Sequence, residues 1–263
     1  MRTLRSPHTR AVGVVVPIHN EEEHLVGSLR ALVVAIGHLP RCIDHQVALV
    51  LDRCIDRSTQ IARDWARDRN VLLIHRALGN VGAARRLGCD RLLATWPHLH
   101  PNRVWLATTD ADSTVPARWL EAQVAAHESG VSLWLGRVEV RDWRPHAAET
   151  AACWSETYDQ EEAPVHGASM GINAQLYLDV GGFPPLTAGE DRFLYPEVLA
   201  KGVRPEYDSI HRVITSARRI ARAPSGFAHA LTSIELYLSA GFSDQAVDFS
   251  LPPNPFRGAG LHE

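Results

Sequence analysis

Three short segments of this 263-residue chain put acids and polar groups just beyond apolar runs. They are Pro17-Ile18-His19-Asn20-Glu21, then Asp52 with Asp56 four residues on, then Asp110-Ala111-Asp112. A fourth acidic pair, Glu190-Asp191, follows Gly189. Carboxylates that converge on one edge repel each other unless a cation lies between them, and a divalent ion suits oxygen ligands. One carboxylate of Asp110-Ala-Asp112 can reach a metal while the other hydrogen-bonds a ribose or the backbone, and a metal held there could neutralise a diphosphate. Taken singly, each segment also has a plainer account. Asn20 and Glu21 can cap a helix, Asp52 and Asp56 can shape a turn, and Glu190 and Asp191 suit the positive end of a helix dipole.

The elements that must position these groups are legible from the pattern. Ala11–Val16 is a continuous apolar run, the mark of a strand buried on both faces. Asn20 to Glu23 fits a capping box that opens a helix through Leu25, Leu29, Leu32 and Ile36. Strands are expected at 46–51, 71–75 and 104–108, with helices after Ser58 and after Gly79-Asn80-Val81-Gly82. Four such strand-then-helix units in series predict an α/β fold with a mostly parallel, Rossmann-like sheet flanked by helices. Pro116 fits the first turn of a further helix, and Val131–Val140 alternates like a strand with one wet face. Helices follow at 146–160, up to Val180, from Gly189 to Lys201 and at 227–239, with short strands at 203–207 and 212–215. A single domain is expected. Residues 11–112 form its nucleotide-binding half, 113–240 its substrate-shaping half and 241–263 a loose tail. In an open parallel sheet, ligands bind beyond the carboxyl ends of the strands, which is where the three acidic segments fall.

Composition narrows the chemistry. The chain is 45% hydrophobic and 22% charged with a formal net charge of −3, an ordinary globular balance without the basic footprint of a nucleic-acid binder. Lys201 is the only lysine among 27 basic residues. Any phosphate is therefore held by arginine forks, backbone amides or a metal. Four scattered cysteines form no CxxC, consistent with thiols in a reducing compartment. No apolar run approaches the roughly 20 residues of a membrane span. The basic start lacks the pattern of a signal peptide. A soluble, cytoplasmic protein is expected, with peripheral membrane association left open.

The chain resembles the family 2 glycosyltransferases of GT-A fold. VVVPIHNEEEHLVGSL, LVLDRCIDRSTQIA, GNVGAARRLGCD and WLATTDADS look like the first half of that family. HGASMGINAQLYLDVGGF, GEDRFLYPEVLAKG and VITSARR continue the likeness in order. The resemblance implies an inverting transfer of sugar from a nucleoside-diphosphate donor, a UDP- or GDP-sugar, to an acceptor hydroxyl, with Mn²⁺ or Mg²⁺. It implies that Pro17, His19, Asn20 and Glu21 line the nucleotide, that Asp52 binds base or ribose, and that Arg85 lies near the nucleotide. It makes Asp110 and Asp112 the DxD pair, with Asp112 on the metal. Gly167, Ala168 and Ser169 become the floor under sugar and acceptor, and Asp191 the catalytic base beside Glu190. His211, between the two short strands, is a candidate metal ligand, and a loop hydrogen bond is the alternative. Trp134, Trp143 and Trp154 are candidate sugar-stacking rings or simple packing. Arg218-Arg219 either touches phosphate or forms an exposed basic turn. Arg53 and Arg86 stand where the family often has an acid and an Asn.

Two rivals stand beside this. Asp110-Ala-Asp112-Ser-Thr114-Val115 also resembles the first motif of haloacid-dehalogenase-type phosphatases, although that motif belongs on an early strand with a later lysine. The other rival is a non-catalytic nucleotide-sugar-binding module on the same fold. P-loop and dinucleotide fingerprints are missing.

Overall fold

The computed structural model describes residues 8–161, 163–220 and 226–239. The tail expected at 241–263 lies outside them. Buried apolar strands and amphipathic helices alternate through the first half: β1 (Ala11–Ile18), α1 (Leu25–Gly37), β2 (Asp44–Asp52), α2 (Ser58–Ala66), β3 (Val71–Arg76), α3 (Val81–Leu93) and β4 (Val104–Thr108). The second half adds α4 (Trp119–Glu128), β5 (Leu133–Val140), α5 (Ala148–Asp159), β6 (Met170–Asn173), α6 (Ala174–Asp179), α7 (Glu190–Ala200), β7 (Glu206–Thr215) and α8 (Phe227–Ser239).

All seven strands form one sheet in the order β3-β2-β1-β4-β6-β5-β7. The first four are parallel, as is the pair β5 and β7, and β6 runs antiparallel to both of its neighbours. Side chains alternate across β1, so its two faces feed two cores. Val12, Val14 and Val16 pack with Leu25, Leu29 and Leu32 of α1 and with Trp119 and Val124 of α4. Ala11 and Val15 pack with Ala84, Cys89 and Leu92 of α3, in a core shared with Tyr177 of α6 and Leu194 of α7. A smaller cluster joins Val140 and Ala217 to Leu231 and Ile234 of α8.

Four local expectations are corrected. Helix α1 starts at Leu25 with His24 as its N-cap and no side-chain cap bond. Asn20 instead takes a left-handed φ of 55°, and its Oδ1 accepts from the Ile55 amide at 2.8 Å. The segments read as two short strands are one strand, β7, paired with β5 through an irregularity between Gly136 and Val138. Leu133, Trp134 and Leu135 of β5 are all buried, so its first half has no wet face. Pro116 precedes α4 without entering it, and β6 was not foreseen.

A buried histidine pins the edge opposite the acidic strand ends. Asn173 Nδ2 donates to His127 Nε2 at 2.9 Å, so the proton sits on Nδ1, which donates to Thr9 Oγ1 at 2.9 Å. Burial pulls this imidazole down to about 4. Between that value and the ordinary one near 6.5, the unfolded chain binds a proton that the folded chain refuses. Stability therefore falls as pH drops through that window. Replacing the ring in His127→Gln should flatten the loss between pH 6.5 and 4, read from urea unfolding at each pH. An unchanged slope would show that other groups set the acid limit.

Candidate active site

Sheet direction explains why the acids meet. The carboxyl ends of β1, β2 and β4 share one edge because these strands are parallel. Since β6 is antiparallel, the turn that enters it, Gly167–Ser169, reaches the same edge. The N-terminus of α7 brings Glu190 and Asp191 there, and the end of β7 brings Thr215 to Arg218. Together they line a cavity of about 480 Å³.

At the end lined by Pro17, His19 and Asp52, the acid turns inward. The Asp52 carboxylate accepts from the amides of Leu78 at 2.6 Å, Gly79 at 3.0 Å and Asn80 at 3.1 Å. It thereby fixes the turn that starts α3, where Asn80 caps the Ala83 amide at 2.8 Å. His19 Nδ1 donates to the Asp52 carbonyl at 2.7 Å, and the Glu21 amide donates to Ser58 Oγ at 2.8 Å. Asn20 and Arg53 are the two non-glycine residues of positive φ among those described, and they stand side by side at the ends of β1 and β2. Arg53 lines the cavity, whereas Asn20 does not.

The centre is organised by Arg85, which is 3% exposed. Its guanidinium pairs with Asp110 through Nη2 and with Glu190 through Nη1. Glu190 is 2% exposed and committed to this pair, so it cannot also serve as a free base. Burial pushes the Asp110 carboxyl up, Arg85 opposes that, and the charges of Asp112 and Asp191 push it further up. The three carboxylates therefore stand in one another's field. Space for the fork depends on glycine. A Cβ at Gly167 would collide with the Arg85 guanidinium, and one at Gly82 with the Pro184 carbonyl.

Asp191 faces the cavity beside the β6 turn. Its Oδ2 accepts from the Gly167 amide at 2.5 Å and its Oδ1 from its neighbour's amide, Arg192, at 2.8 Å. Both bonds fix the carboxylate's direction. His166 lies next to it, pulled down to about 4 by burial against the opposing pull of Asp191. Its Nε2 is buried without a hydrogen-bond partner among the described residues. Ala168 packs with Val138 and Tyr158, and Val138, Ala168 and Phe227 give that end an apolar wall.

Besides Asn20, two expected site residues lie outside the cavity lining. Ser169 is fully buried beneath the cavity, with Oγ accepting from Trp119 Nε1 at 3.2 Å. His211 does not line the cavity, and its Nδ1 pairs with Asp208 Oδ2 at 3.1 Å, a local bond within β7. Trp134, Trp143 and Trp154 are packing residues outside the lining. The sequence singled out neither His166 nor Phe227, and it left Arg218 undecided. Arg218 donates to Glu21 at 2.6 and 2.7 Å and to Asp112 Oδ2 at 2.6 Å. Arg219 faces away, towards Glu235 of α8 and the Pro145 carbonyl.

Among the described residues, no three His, Cys, Asp or Glu side chains form a complete metal cage. An ion that binds through one or two carboxylates and completes its shell with substrate phosphates needs no such cage. Asp112, with Asp110 in its field, fits that requirement.

A mostly parallel α/β sheet with a crossed-in antiparallel strand and a carboxylate cluster at its open edge defines the GT-A architecture. The chain belongs to glycosyl transferase family 2, whose model matches residues 13–174. Solved structures agree in fold. TarS of S. aureus shares 17% identity at a TM-score of 0.58, covering 89% of this chain and 44% of that one. A shorter form, TarS 1-349 in complex with UDP, shares 17% at 0.59, covering 86% and 65%. The mannosyltransferase PcManGT from Pyrobaculum calidifontis, in complex with GDP-Man and Mn2+, shares 19% at 0.56, covering 88% and 70%. This chain thus spans less than two thirds of the TarS structures. No curated protein matches the sequence. No helix among the described residues is long and apolar enough to cross a membrane.

If Arg85 organises the centre, its removal strands two carboxylates. Arg85→Met should cost about 3–5 kcal/mol in urea unfolding, and adding Glu190→Gln should return part of that loss. A single-variant loss below about 1 kcal/mol, the size typical of a solvated pair, would show that the fork is not structural.

Proposed function

We propose that this family member is a glycosyltransferase that moves a sugar from a UDP- or GDP-sugar to an acceptor hydroxyl with inversion, using Mg²⁺ or Mn²⁺. One observation carries the reading: Asp110, Asp112 and Asp191 line one cavity, and the last two both act on the Asp110 carboxyl. The donor's nucleoside lies between Pro17, His19 and the turn that Asp52 holds. Asp52 acts there mainly by shaping the turn, because three amides already occupy its carboxylate. Asp112, with Asp110, would hold the metal, which supplies Lewis-acid stabilisation of the departing diphosphate. Asp191 stands on the acceptor side. Its carboxylate, aimed by the Gly167 amide, takes the acceptor proton as the new bond to the anomeric carbon forms and the bond to diphosphate breaks. Inversion follows from attack opposite the leaving group. Gly167 and Ala168 floor the reacting pair, and the half-buried, neutral His166 offers Nε2 to an acceptor polar group.

The protein is proposed to act in the cytoplasm. Its four cysteines are all free thiols, which suits a reducing compartment. The phosphatase rival fails on geometry. Asp110 follows β4 and is held by Arg85, where that chemistry needs a free nucleophile. The binding-module rival gives way to family membership together with a complete carboxylate set.

Asp191→Asn should leave Mn²⁺-dependent binding of UDP or GDP close to wild type while lowering sugar transfer about 10²–10⁴-fold. Asp112→Ala should abolish the Mn²⁺-dependent part of nucleotide binding, measured by calorimetry with and without the ion. Transfer by Asp191→Asn at the wild-type rate would move the base elsewhere.

A further inference from the structure

Arg218 occupies the place where the donor reading needs positive charge. It is 22% exposed and spans two carboxylates from different elements, Glu21 beyond β1 and Asp112 beyond β4. The segment that carries it is held on both sides. Ile214 bridges Thr114, Thr215 Oγ1 accepts from Ser113 Oγ at 3.2 Å, and Ser216 Oγ meets His24 Nε2 at 3.2 Å. The fork is thus delivered to Asp112 by the backbone next to the Asp110-Ala-Asp112 turn itself.

Nη2 stands 2.6 Å from Asp112 Oδ2. A hard divalent ion seeks the same carboxylate at about 2.0–2.2 Å. The two cations repel, and an ion on Oδ2 competes with the Arg218 fork for the same oxygen. We propose that Arg218 is the resident counter-cation of Asp112, that it must leave this carboxylate for the metal to enter, and that its freed fork then binds the donor's diphosphate. Metal alone is consequently a poor ligand, and metal and nucleotide load together. The inference rests on the donor reading above. The chemistry suits arginine: five donors in a planar fork pair bidentately with carboxylate or phosphate, so one side chain can exchange one anion for the other.

The test titrates Mn²⁺ alone into the full chain, following the free-ion electron paramagnetic resonance signal, and then titrates UDP and GDP at saturating Mn²⁺. Arg218→Gln should bind Mn²⁺ alone at least about fivefold more tightly than wild type, and the nucleotides at least about fivefold more weakly. Arg218→Lys keeps a charge but loses the fork, and should fall between the two in Mn²⁺ affinity. It carries the comparison if the glutamine variant does not fold. A merely structural role would weaken Mn²⁺ binding in both variants. Equal or weaker Mn²⁺ binding by the variants therefore overturns the counter-cation role, even where nucleotide binding stands. Wild-type protein that binds neither nucleotide with Mn²⁺ present overturns the donor reading and the diphosphate half of this inference, while the Mn²⁺ comparison still decides the other half.

Discussion

The buried guanidinium of Arg85 is the constraint around which the open edge of the sheet is arranged. A charge 3% exposed is tolerable only with partners, and Arg85 has one on each arm. Asp110 comes from the end of β4 and Glu190 from the start of α7, eighty residues apart in sequence. Tying both to one fork fixes α7 against α3 and fixes Asp191, the next residue, beside Gly167. The glycines at 82 and 167 follow from the same constraint, because side chains there would displace either the fork or the loop before α7. The geometry of the cavity and the stability of the fold are therefore one problem here, and neither can be adjusted independently of the other.

A second fork completes the arrangement. Arg218 neutralises Glu21 and Asp112 as Arg85 neutralises Asp110 and Glu190. The near absence of lysine thereby acquires a structural meaning. An ammonium is a compact point charge, whereas a planar fork can bridge two carboxylates along fixed directions. The lone Lys201 ends α7 in an exposed position and takes no part. The difference between the forks lies in burial and partners. Arg85 is enclosed and pairs with Asp110 and Glu190. Arg218 is partly open to the cavity and pairs with Glu21 and Asp112.

Much of this was legible in the sequence because long apolar runs and helix starts are local signals. β1, β2, β4, α7 and α8 stand close to where their patterns put them, and the acids after β1, β2 and β4 do converge. What was hidden depends on pairing between distant segments. β6 is the four residues Met-Gly-Ile-Asn, too short for a period, and becomes a strand only because β4 and β5 flank it. The capping box at Asn20 has the right spacing, but the Ile55 amide offers its side chain a better partner and the helix begins later. His211 has the chemistry of a ligand, yet Asp208 three residues earlier takes its imidazole. Arg218 and Arg219 are neighbours with identical side chains, and only the strand that delivers them decides that one faces the acids and the other faces α8.

The antiparallel β6 also explains how Asp191 comes to stand at the edge that the acids after β4 occupy. Parallel strands alone deliver their carboxyl ends to the edge, each followed by a helix that takes the chain away. Reversing one strand delivers an entering turn instead, which brings the Gly167 amide to the same edge. That amide goes to Asp191, while the Gly167 carbonyl is fixed by Thr108 Oγ1 at 2.6 Å. Thr108 is the last residue of β4 and lies two residues before Asp110. The same turn is thus locked to β4, which Asp110 and Asp112 follow, and to α7, which carries Asp191. The spacing between these carboxylates is set by a short path of hydrogen bonds through Gly167.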